Sequence, residues 1–300
     1  MQLRLFAPAK VNLSLRIIGR RADGYHLLDS RFACVSLADV LEVRLREVDD
    51  GMRSGPVPVE VVSFPEVVAA PSDNLVYRAA QAFALETGRR FLLSVRLDKR
   101  IPNGAGLGGG SSDAACVLKL LASAFPGSVS AARMNELAVG LGADVPFFLV
   151  GGVCQVGGVG EVVRPIRDQT PSDLVLCFDG SSLATGSVFA AYDRALTSEA
   201  YPSMNHRPAV RDEGFACSAQ YDLEWAAKLL HPGLSAMRET LLEMGATHAA
   251  MTGSGSSVFG VAPDERNARR IAERMRRCGY WSRAVRVVRR RSAYFGRFRT

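Results

Sequence analysis

The sequence predicts a protein of the α/β (α+β) class, because segments with the period of strands alternate with segments that have helical spacing. The N-terminal segment alternates like a strand, with Leu13 and Leu15 on one face and Lys10 and Asn12 on the other. Apolar residues three and four apart predict a helix over 114–125. The 300 residues are 48% hydrophobic and 22% charged, which suffices for one large domain or two ordinary ones.

The first half of the chain is predicted to form strands followed by a helix and a further strand. Asp39 is expected near a turn between strands. Ser72 and Asp73 can cap a helix with the sequence LVYRAAQAFALE, and Gly88 ends it. The segment 91–98 reads as the next strand.

The second half repeats this alternation. A helix is predicted to begin near Ser130 and to end at Gly142. Strands at LVLCF and SVFGVA alternate with helices at GSVFAAYDRAL, DLEWAAKLL and LSAMRETLLEMG, before a basic helix and a final strand. We expect a domain boundary near residue 167, which gives domains 1–167 and 168–300.

A glycine-rich run is the strongest local signal. Five of the seven residues from Gly104 to Gly110 are glycine, so the backbone can approach a ligand and turn several N–H groups toward it. Ser111 and Ser112 then open an amphipathic helix, whose N-terminus attracts anions. The predicted phosphate-binding residues are Pro102, Asn103, Gly104, Ala105, Gly106, Leu107, Gly108, Gly109, Gly110, Ser111 and Ser112.

The common phosphate-binding motifs match this glycine-rich run only in part. Gly104, Gly106 and Gly109 satisfy the dinucleotide-binding pattern, but Lys99-Arg100-Ile101-Pro102 intervenes after the strand and 129–132 holds no acid. The Walker A pattern fails because Gly110 stands at the lysine position, and protein-kinase signatures are absent. A flexible loop with an ordinary serine cap is the structural alternative.

Charge and cysteine usage argue against a nucleic-acid-binding protein and against a structural zinc site. The net charge is +7, with much of the excess over 266–299, which we interpret as a solvated helix and strand since it lacks a nucleic-acid-binding motif. The six cysteines form no CxxC pair, so we expect reduced thiols and no structural zinc. We see neither a signal peptide nor a membrane span, and we expect a cytoplasmic protein.

Three segments, in order, resemble the GHMP kinases. They are APAKVNL at 7–13, PNGAGLGGGSSDA at 102–114 and MTGSGSSVFG at 251–260. One such loop would be weak evidence, whereas three in order span nearly the whole chain. The resemblance implies an N-terminal ATP-binding domain, a C-terminal ferredoxin-like domain and an active site in the cleft between them.

Within the superfamily the closest resemblance is to the 4-diphosphocytidyl-2-C-methyl-D-erythritol kinase family. The marks are PAKVNLSL at 8–15, RADGYH at 21–26, GLGGGSSDAA at 106–115, GADVPFF at 142–148, GVGE at 158–161 and DLE at 222–224. RADGYH is the most specific, because in that family it belongs to the cytidine site. One departure is Tyr221, where the family usually has Asn.

The resemblance implies phosphorylation of a CDP-linked sugar alcohol, with ATP as co-substrate and Mg²⁺ as cofactor. Alternatives are another GHMP kinase of the homoserine or mevalonate type, a non-catalytic nucleotide or sugar sensor, and a nucleic-acid-binding protein. We expect small-molecule substrates, no nucleic acid and no membrane partner, and a monomer or a homodimer. The metal ligands stay unassigned, with Glu136 and Asp113 as weak candidates.

The resemblance also implies roles for single residues. Asp144 would be the general base, although from the residues alone it could equally cap the short VPFF helix. The positive charge of Lys10 would keep the Asp144 carboxylate ionised and stabilise the negative charge of the transition state. The third motif would close over the phosphates or over the acceptor's diphosphate. The predicted substrate-binding residues are Asn12, Tyr25, His26, Val159, Phe189, Gly253, Ser254, Gly255 and Ser256.

Overall fold

The structure is a computed structural model that describes residues 1–48, 55–66, 70–167, 170–196 and 221–289. The first sheet consists of β1 (Gln2–Arg20), β2 (His26–Glu47), β3 (Val59–Phe64), β4 (Phe91–Asp98), β5 (Val153–Gly158) and β6 (Val162–Pro165). Its order is β3-β4-β2-β5-β6, and β1 pairs with β2. All pairs are antiparallel except β3 with β4.

Four helices belong to this half of the chain. They are α1 (Leu75–Thr87), α2 (Gly109–Ala124), α3 (Ala131–Leu141) and α4 (Val145–Val150). The apolar side chains of α1, α2 and α4 share one core with strands β1, β2, β4 and β5. Because α2 is buried along most of its length, its N-terminus and the glycine-rich run before it have a fixed position.

The second sheet has the order β10-β7-β9-β8, and every pair is antiparallel. Its strands are β7 (Asp173–Phe178), β8 (His248–Met251), β9 (Val258–Val261) and β10 (Trp281–Arg286). Its helices are α5 (Thr185–Leu196), α6 (Leu223–Leu230), α7 (Gly233–Glu243) and α8 (Glu265–Arg277). No helix in the described ranges is long and apolar enough to cross a membrane.

Strand β1 joins the two halves. Its residues Ala9, Val11 and Leu13 pack with Leu176 of β7 and Phe259 of β9 in a shared apolar core. The alternate residues of β1 therefore face the other way. The fold thus presents the polar face of one strand at the junction of the two sheets.

The predicted mixed α/β fold with two domains is confirmed, and several element boundaries were predicted correctly. Gly88 ends α1 in the left-handed region, and the Ser130 hydroxyl caps α3. The cap predicted for α1 was wrong: the Asn74 side chain, rather than Ser72 or Asp73, accepts from Val76 N–H.

The prediction for Asp39 was also wrong. Asp39 lies within β2 rather than near a turn, and it is fully buried. The boundary at residue 167 stays a prediction, although the first sheet ends at Pro165 and the second begins at Asp173.

The structure describes five of the six cysteines and part of the basic tail. Four cysteines are buried in apolar surroundings, as small hydrophobes are. They are Cys34, Cys116, Cys154 and Cys177. Cys217 and residues 290–300 of the basic tail lie outside the described residues.

Candidate active site

A cleft of about 880 Å³ lies between the two halves of the chain. Strand β1, the glycine-rich run and the start of α4 form one side, and α5 and the third motif form the other. The predicted site residues that line it are Lys10, Asn12, Tyr25, His26, Gly106, Gly108, Ser111, Asp144, Val159, Phe189, Gly253 and Ser254.

Lys10 and Asp144 face each other in this cleft. Lys10 Nζ lies 3.5 Å from Asp144 Oδ2, and only 4% of the lysine side chain is exposed. The ammonium also donates to Asn12 Oδ1 at 2.6 Å and lies 4.9 Å from the centre of the Phe32 ring. The Lys10 N–H donates to the Leu107 carbonyl at 3.0 Å, which ties the strand to the glycine-rich run.

Asp144 does not use its carboxylate as a helix cap. Its backbone occupies the N-cap position of α4, but its side chain makes no capping hydrogen bond. The side chain is 31% exposed, on the cleft side. The capping alternative is therefore wrong, and the carboxylate is available to a ligand in the cleft.

Asn12 connects strand β1 to the third motif. Its Oδ1 accepts from Lys10 and from Gly253 N–H at 3.1 Å, and its own N–H donates to Thr252 Oγ1 at 2.7 Å. Its Nδ2 donates to Ser30 Oγ at 3.2 Å. Asn12 is almost completely buried, so its side chain offers little surface to the cleft. Its main effect is to hold these neighbours in place.

The glycine-rich run adopts the left-handed conformations that glycine tolerates. Gly104, Gly106 and Gly108 have φ of 69°, 74° and 72°. The buried side chains of Ala105 and Leu107 anchor the run between these turns. It precedes α2, whose first N–H groups have no intrahelical partner and suit an anion.

The remaining residues of the run occupy different surroundings. Ser111 lines the cleft, whereas the Ser112 hydroxyl is buried and lacks a hydrogen-bond partner among the described residues. Pro102 is half-buried, and Gly109 lies against Ile101 and Asp39. Outside the cleft lining are Pro102, Asn103, Gly104, Ala105, Leu107, Gly109, Gly110 and Ser112.

A buried ionic cluster lies behind the run. Lys99 Nζ donates to Asp39 Oδ2 and, at 2.7 Å, to Asp113 Oδ2. Asp39 Oδ1 also accepts the N–H groups of Arg100 and Ile101 at 2.6 and 2.8 Å. Burial raises the pKa of Asp113 to about 7, although Lys99 acts in the opposite direction. The cluster therefore fixes both ends of the glycine-rich run.

The expected cytidine site lies at the far end of the cleft. Tyr25 is 65% exposed, while the His26 ring stacks on Phe189 with centroids 4.8 Å apart. His26 Nε2 lies 2.7 Å from Asp193 Oδ1, and Arg20 Nη1 lies 3.4 Å from Asp193 Oδ2. Sequence reasoning missed Asp193, because only the fold brings α5 next to the RADGYH segment.

Val159 also lines this end of the cleft. Its N–H already donates to Glu161 Oε2 at 2.6 Å. A backbone contact from Val159 to a ligand would therefore use its carbonyl group.

Only the first half of the predicted third motif faces the cleft. Gly253 and Ser254 line it, and Ser254 Oγ lies 2.9 Å from Thr185 Oγ1. Gly255 packs against Leu183 and Met251, and the buried Ser256 hydroxyl donates to the Ser181 carbonyl. Gly255 and Ser256 therefore shape the motif from behind.

Neither weak candidate for a metal ligand lies in the cleft lining. Glu136 is exposed and pairs with Arg133, and Asp113 binds Lys99 in the interior. Within the described ranges, no group of three or more His, Cys, Asp or Glu residues could hold a metal ion.

Comparison with known proteins gives the family. Residues 74–152 match the model for the GHMP kinases N terminal domain, and 209–280 match that for the GHMP kinases C terminal. The chain is 39% identical to the 4-diphosphocytidyl-2-C-methyl-D-erythritol kinase of Anaeromyxobacter dehalogenans, over 91% of this chain and 84% of that protein. The chain belongs to the 4-diphosphocytidyl-2-C-methyl-D-erythritol kinase family of the GHMP kinases.

Solved structures agree with this assignment. A crystal structure of a 4-(cytidine 5'-diphospho)-2C-methyl-D-erythritol kinase superimposes with a TM-score of 0.74 at 34% identity, covering 96% of this chain and 100% of that one. The homoserine kinase of Cytophaga hutchinsonii gives a TM-score of 0.67 at 18% identity, covering 98% of this chain and 96% of that one. The second likeness shows that this GHMP kinase shares its fold with homoserine kinases.

Proposed function

We propose that this kinase transfers the γ-phosphoryl group of ATP to the 2-hydroxyl of 4-diphosphocytidyl-2-C-methyl-D-erythritol, giving the 2-phosphate and ADP. The reaction is the one for which the related kinases are named. The observation that carries the site assignment is the Lys10–Asp144 pair, 3.5 Å apart and beside the glycine-rich run. The reaction belongs to the non-mevalonate route to isoprenoid precursors, and we place the enzyme in the cytoplasm.

The transfer uses Asp144 as the general base. Its carboxylate takes the proton of the acceptor hydroxyl while the hydroxyl oxygen attacks the γ-phosphorus in line. The new O–P bond forms as the bond to the β,γ-bridging oxygen breaks, and its electron pair leaves with ADP. Lys10 stabilises the negative charge on the transferring group, and its contacts with Asn12 and Phe32 hold it in place.

The glycine-rich run and the N-terminus of α2 hold the triphosphate. Gly106, Gly108 and Ser111 line the cleft, so this segment offers backbone N–H groups and a hydroxyl to an anion there. When bound, Mg²⁺ neutralises part of the triphosphate charge. The Ser111 hydroxyl, which lines the cleft, is an oxygen donor that would fit this ion.

The other end of the cleft takes the cytidine. Tyr25 and Phe189 offer aromatic faces for the base, and His26 offers a ring nitrogen to its edge. Asp193 holds His26 through Nε2, so Nδ1 is the ring atom left for the ligand. The carbonyl of Val159 is a further acceptor for the exocyclic amine.

The alternatives make different predictions for the same cleft. A homoserine- or mevalonate-type kinase would not require the aromatic end formed by Tyr25, His26 and Phe189. A sensor without catalysis would not need Lys10 beside Asp144. A nucleic-acid-binding protein would show binding that weakens steeply with salt.

The decisive experiment measures ADP release from the purified protein with ATP, Mg²⁺ and one acceptor at a time. The acceptors are 4-diphosphocytidyl-2-C-methyl-D-erythritol, mevalonate, homoserine and none. We expect turnover only with the CDP-linked acceptor. Turnover with another acceptor alone would contradict the substrate assignment, and ATP binding without any turnover would favour the sensor.

A further inference from the structure

Tyr221 lies directly behind the third motif, immediately before α6. Its hydroxyl donates to the Gly253 carbonyl at 2.8 Å. The residue is half-buried and does not line the cleft. It can therefore affect a bound substrate only through its neighbours.

The backbone on either side of Tyr221 is fastened to β1. Tyr221 forms a bridge with Leu15, and the next residue, Asp222, donates its N–H to the Leu15 carbonyl at 2.9 Å. Asp222 Oδ2 accepts the Ile17 N–H at 2.8 Å. The backbone of Tyr221 is thus fixed relative to β1, the strand that carries Lys10.

A continuous series of hydrogen bonds runs from Tyr221 to the reacting groups. The hydroxyl holds the Gly253 carbonyl, and the N–H of the same glycine donates to Asn12 Oδ1 at 3.1 Å. That oxygen also accepts from Lys10 Nζ at 2.6 Å, and Lys10 faces Asp144. Because Gly253 is held at both its carbonyl and its N–H, its orientation depends on Tyr221.

The tyrosine is chemically suited to act as a permanent donor. Burial raises the pKa of its hydroxyl well above the usual value, and the negative charges of Glu224 and Asp144 act in the same direction. The hydroxyl therefore stays protonated at physiological pH.

We propose that Tyr221 is a positioning residue for the transfer: it orients Gly253, so that Asn12 keeps Lys10 aligned with Asp144. This role rests on the proposed function, since it needs Lys10 and Asp144 to be the reacting pair.

The test compares Tyr221→Phe with wild type in the ADP-release assay with ATP, Mg²⁺ and the CDP-linked acceptor. We expect kcat to fall about tenfold, as the loss of one hydrogen bond that supports the transition state would give. Both KM values should stay within about twofold, because Tyr221 does not line the cleft. The rate is expressed per ATP-binding site, so that partial unfolding does not lower kcat.

Two further variants separate positioning from simple stability. Tyr280→Phe removes a hydroxyl from the second core, away from the cleft, and should leave kcat unchanged. In an Asn12→Ala background the series is already broken, so Tyr221→Phe should have no further effect on kcat.

Three results would overturn the role. The first is an unchanged kcat in Tyr221→Phe with a lowered melting temperature, and the second is independent, multiplicative losses in the double variant. The third is wild-type protein without turnover on the CDP-linked acceptor, which would also remove the proposed function. The first two leave the proposed function intact.

Discussion

The Nζ atom of Lys10 lies 3.5 Å from Oδ2 of Asp144, although the two residues come from distant parts of the chain. Lys10 is on the long first strand, and Asp144 is at the N-cap of the short helix α4. The lysine is buried and held by Asn12, while the aspartate is partly exposed in the cleft. The pair therefore combines a fixed positive charge with a carboxylate that a substrate can reach.

The first prediction concerns the proposed base. Asp144→Asn keeps the shape of the side chain but cannot accept the hydroxyl proton, so kcat should fall at least about a hundredfold. The affinity for ATP should stay within about twofold, because the proposed anion site lies on the glycine-rich run. Steady-state kinetics and calorimetric nucleotide titration measure the two quantities.

The matched control for this change is Asp98→Asn, which removes an exposed carboxylate paired only at the surface with Arg100. It should leave both kcat and ATP affinity at wild-type values. Near-normal turnover by Asp144→Asn would show that another group accepts the proton.

The second prediction concerns Tyr25. Tyr25→Ala removes an exposed aromatic face at the cytidine end, and the KM for the CDP-linked acceptor should rise about tenfold. The KM for ATP should not change, because the proposed triphosphate site is at the opposite end of the cleft. Phe64→Ala removes an aromatic ring of similar exposure outside the cleft and serves as the control. Equal losses for both substrates in Tyr25→Ala would indicate a structural role.

The sequence could predict those parts of the site that depend on local period or on a motif. Strand alternation alone places Lys10 and Asn12 on one face, and their 2.6 Å contact confirms it. The sequence could not predict the contacts that only the fold creates. Asp193 reaches His26 from α5, and Thr252 reaches Asn12 from the second sheet.

Asp39 shows why one prediction was wrong. Asp39 was expected near a turn, whereas a carboxylate buried within a strand must be paired, because an unpaired one is costly. In the fold, Lys99 and two backbone N–H groups satisfy it. The partners come from the segment that leads into the glycine-rich run, and nothing in the local sequence around Asp39 indicates them.

The third prediction uses two glycines of the same run. A Cβ at Gly106 would lie 2.7 Å from the Gly255 carbonyl oxygen and 3.0 Å from that of Thr252, and its φ is 74°. Gly106→Ala should therefore lower the free energy of unfolding by about 1 to 3 kcal/mol and reduce activity. Gly110 lies within α2, and a Cβ there would meet only the Leu75 side chain, at 3.5 Å.

Gly110→Ala is thus the internal control, and its stability should stay the same or rise by up to about 1 kcal/mol. Denaturant unfolding of both variants measures the difference. Equal effects of the two alanines on stability would show that the third motif does not pack on Gly106 as closely as the structure indicates.

The fourth prediction follows from the buried Asp113. Burial raises its pKa to about 7 from the 3.8 that applies when it is exposed, so between these values the folded protein binds a proton that the unfolded chain releases. The stabilisation from this proton is complete below the unfolded pKa and is lost as the pH rises through the folded pKa. Lys99 and Asp39 are the charged groups of the same cluster, and the ion pair between them does not involve Asp113.

Asp113→Asn removes this titration and keeps the shape of the side chain. Between about pH 5 and about pH 8, the unfolding free energy of wild type should fall by about 2 to 3 kcal/mol relative to that of the variant. This figure corresponds to the roughly two pH units between the lower pH and the folded pKa. Urea unfolding of both proteins at the two pH values measures the difference, and Asp98→Asn should follow wild type. Parallel pH profiles for wild type and Asp113→Asn would mean that Asp113 stays ionised against Lys99 throughout, and that the cluster behind the glycine-rich run is an ordinary buried ion pair.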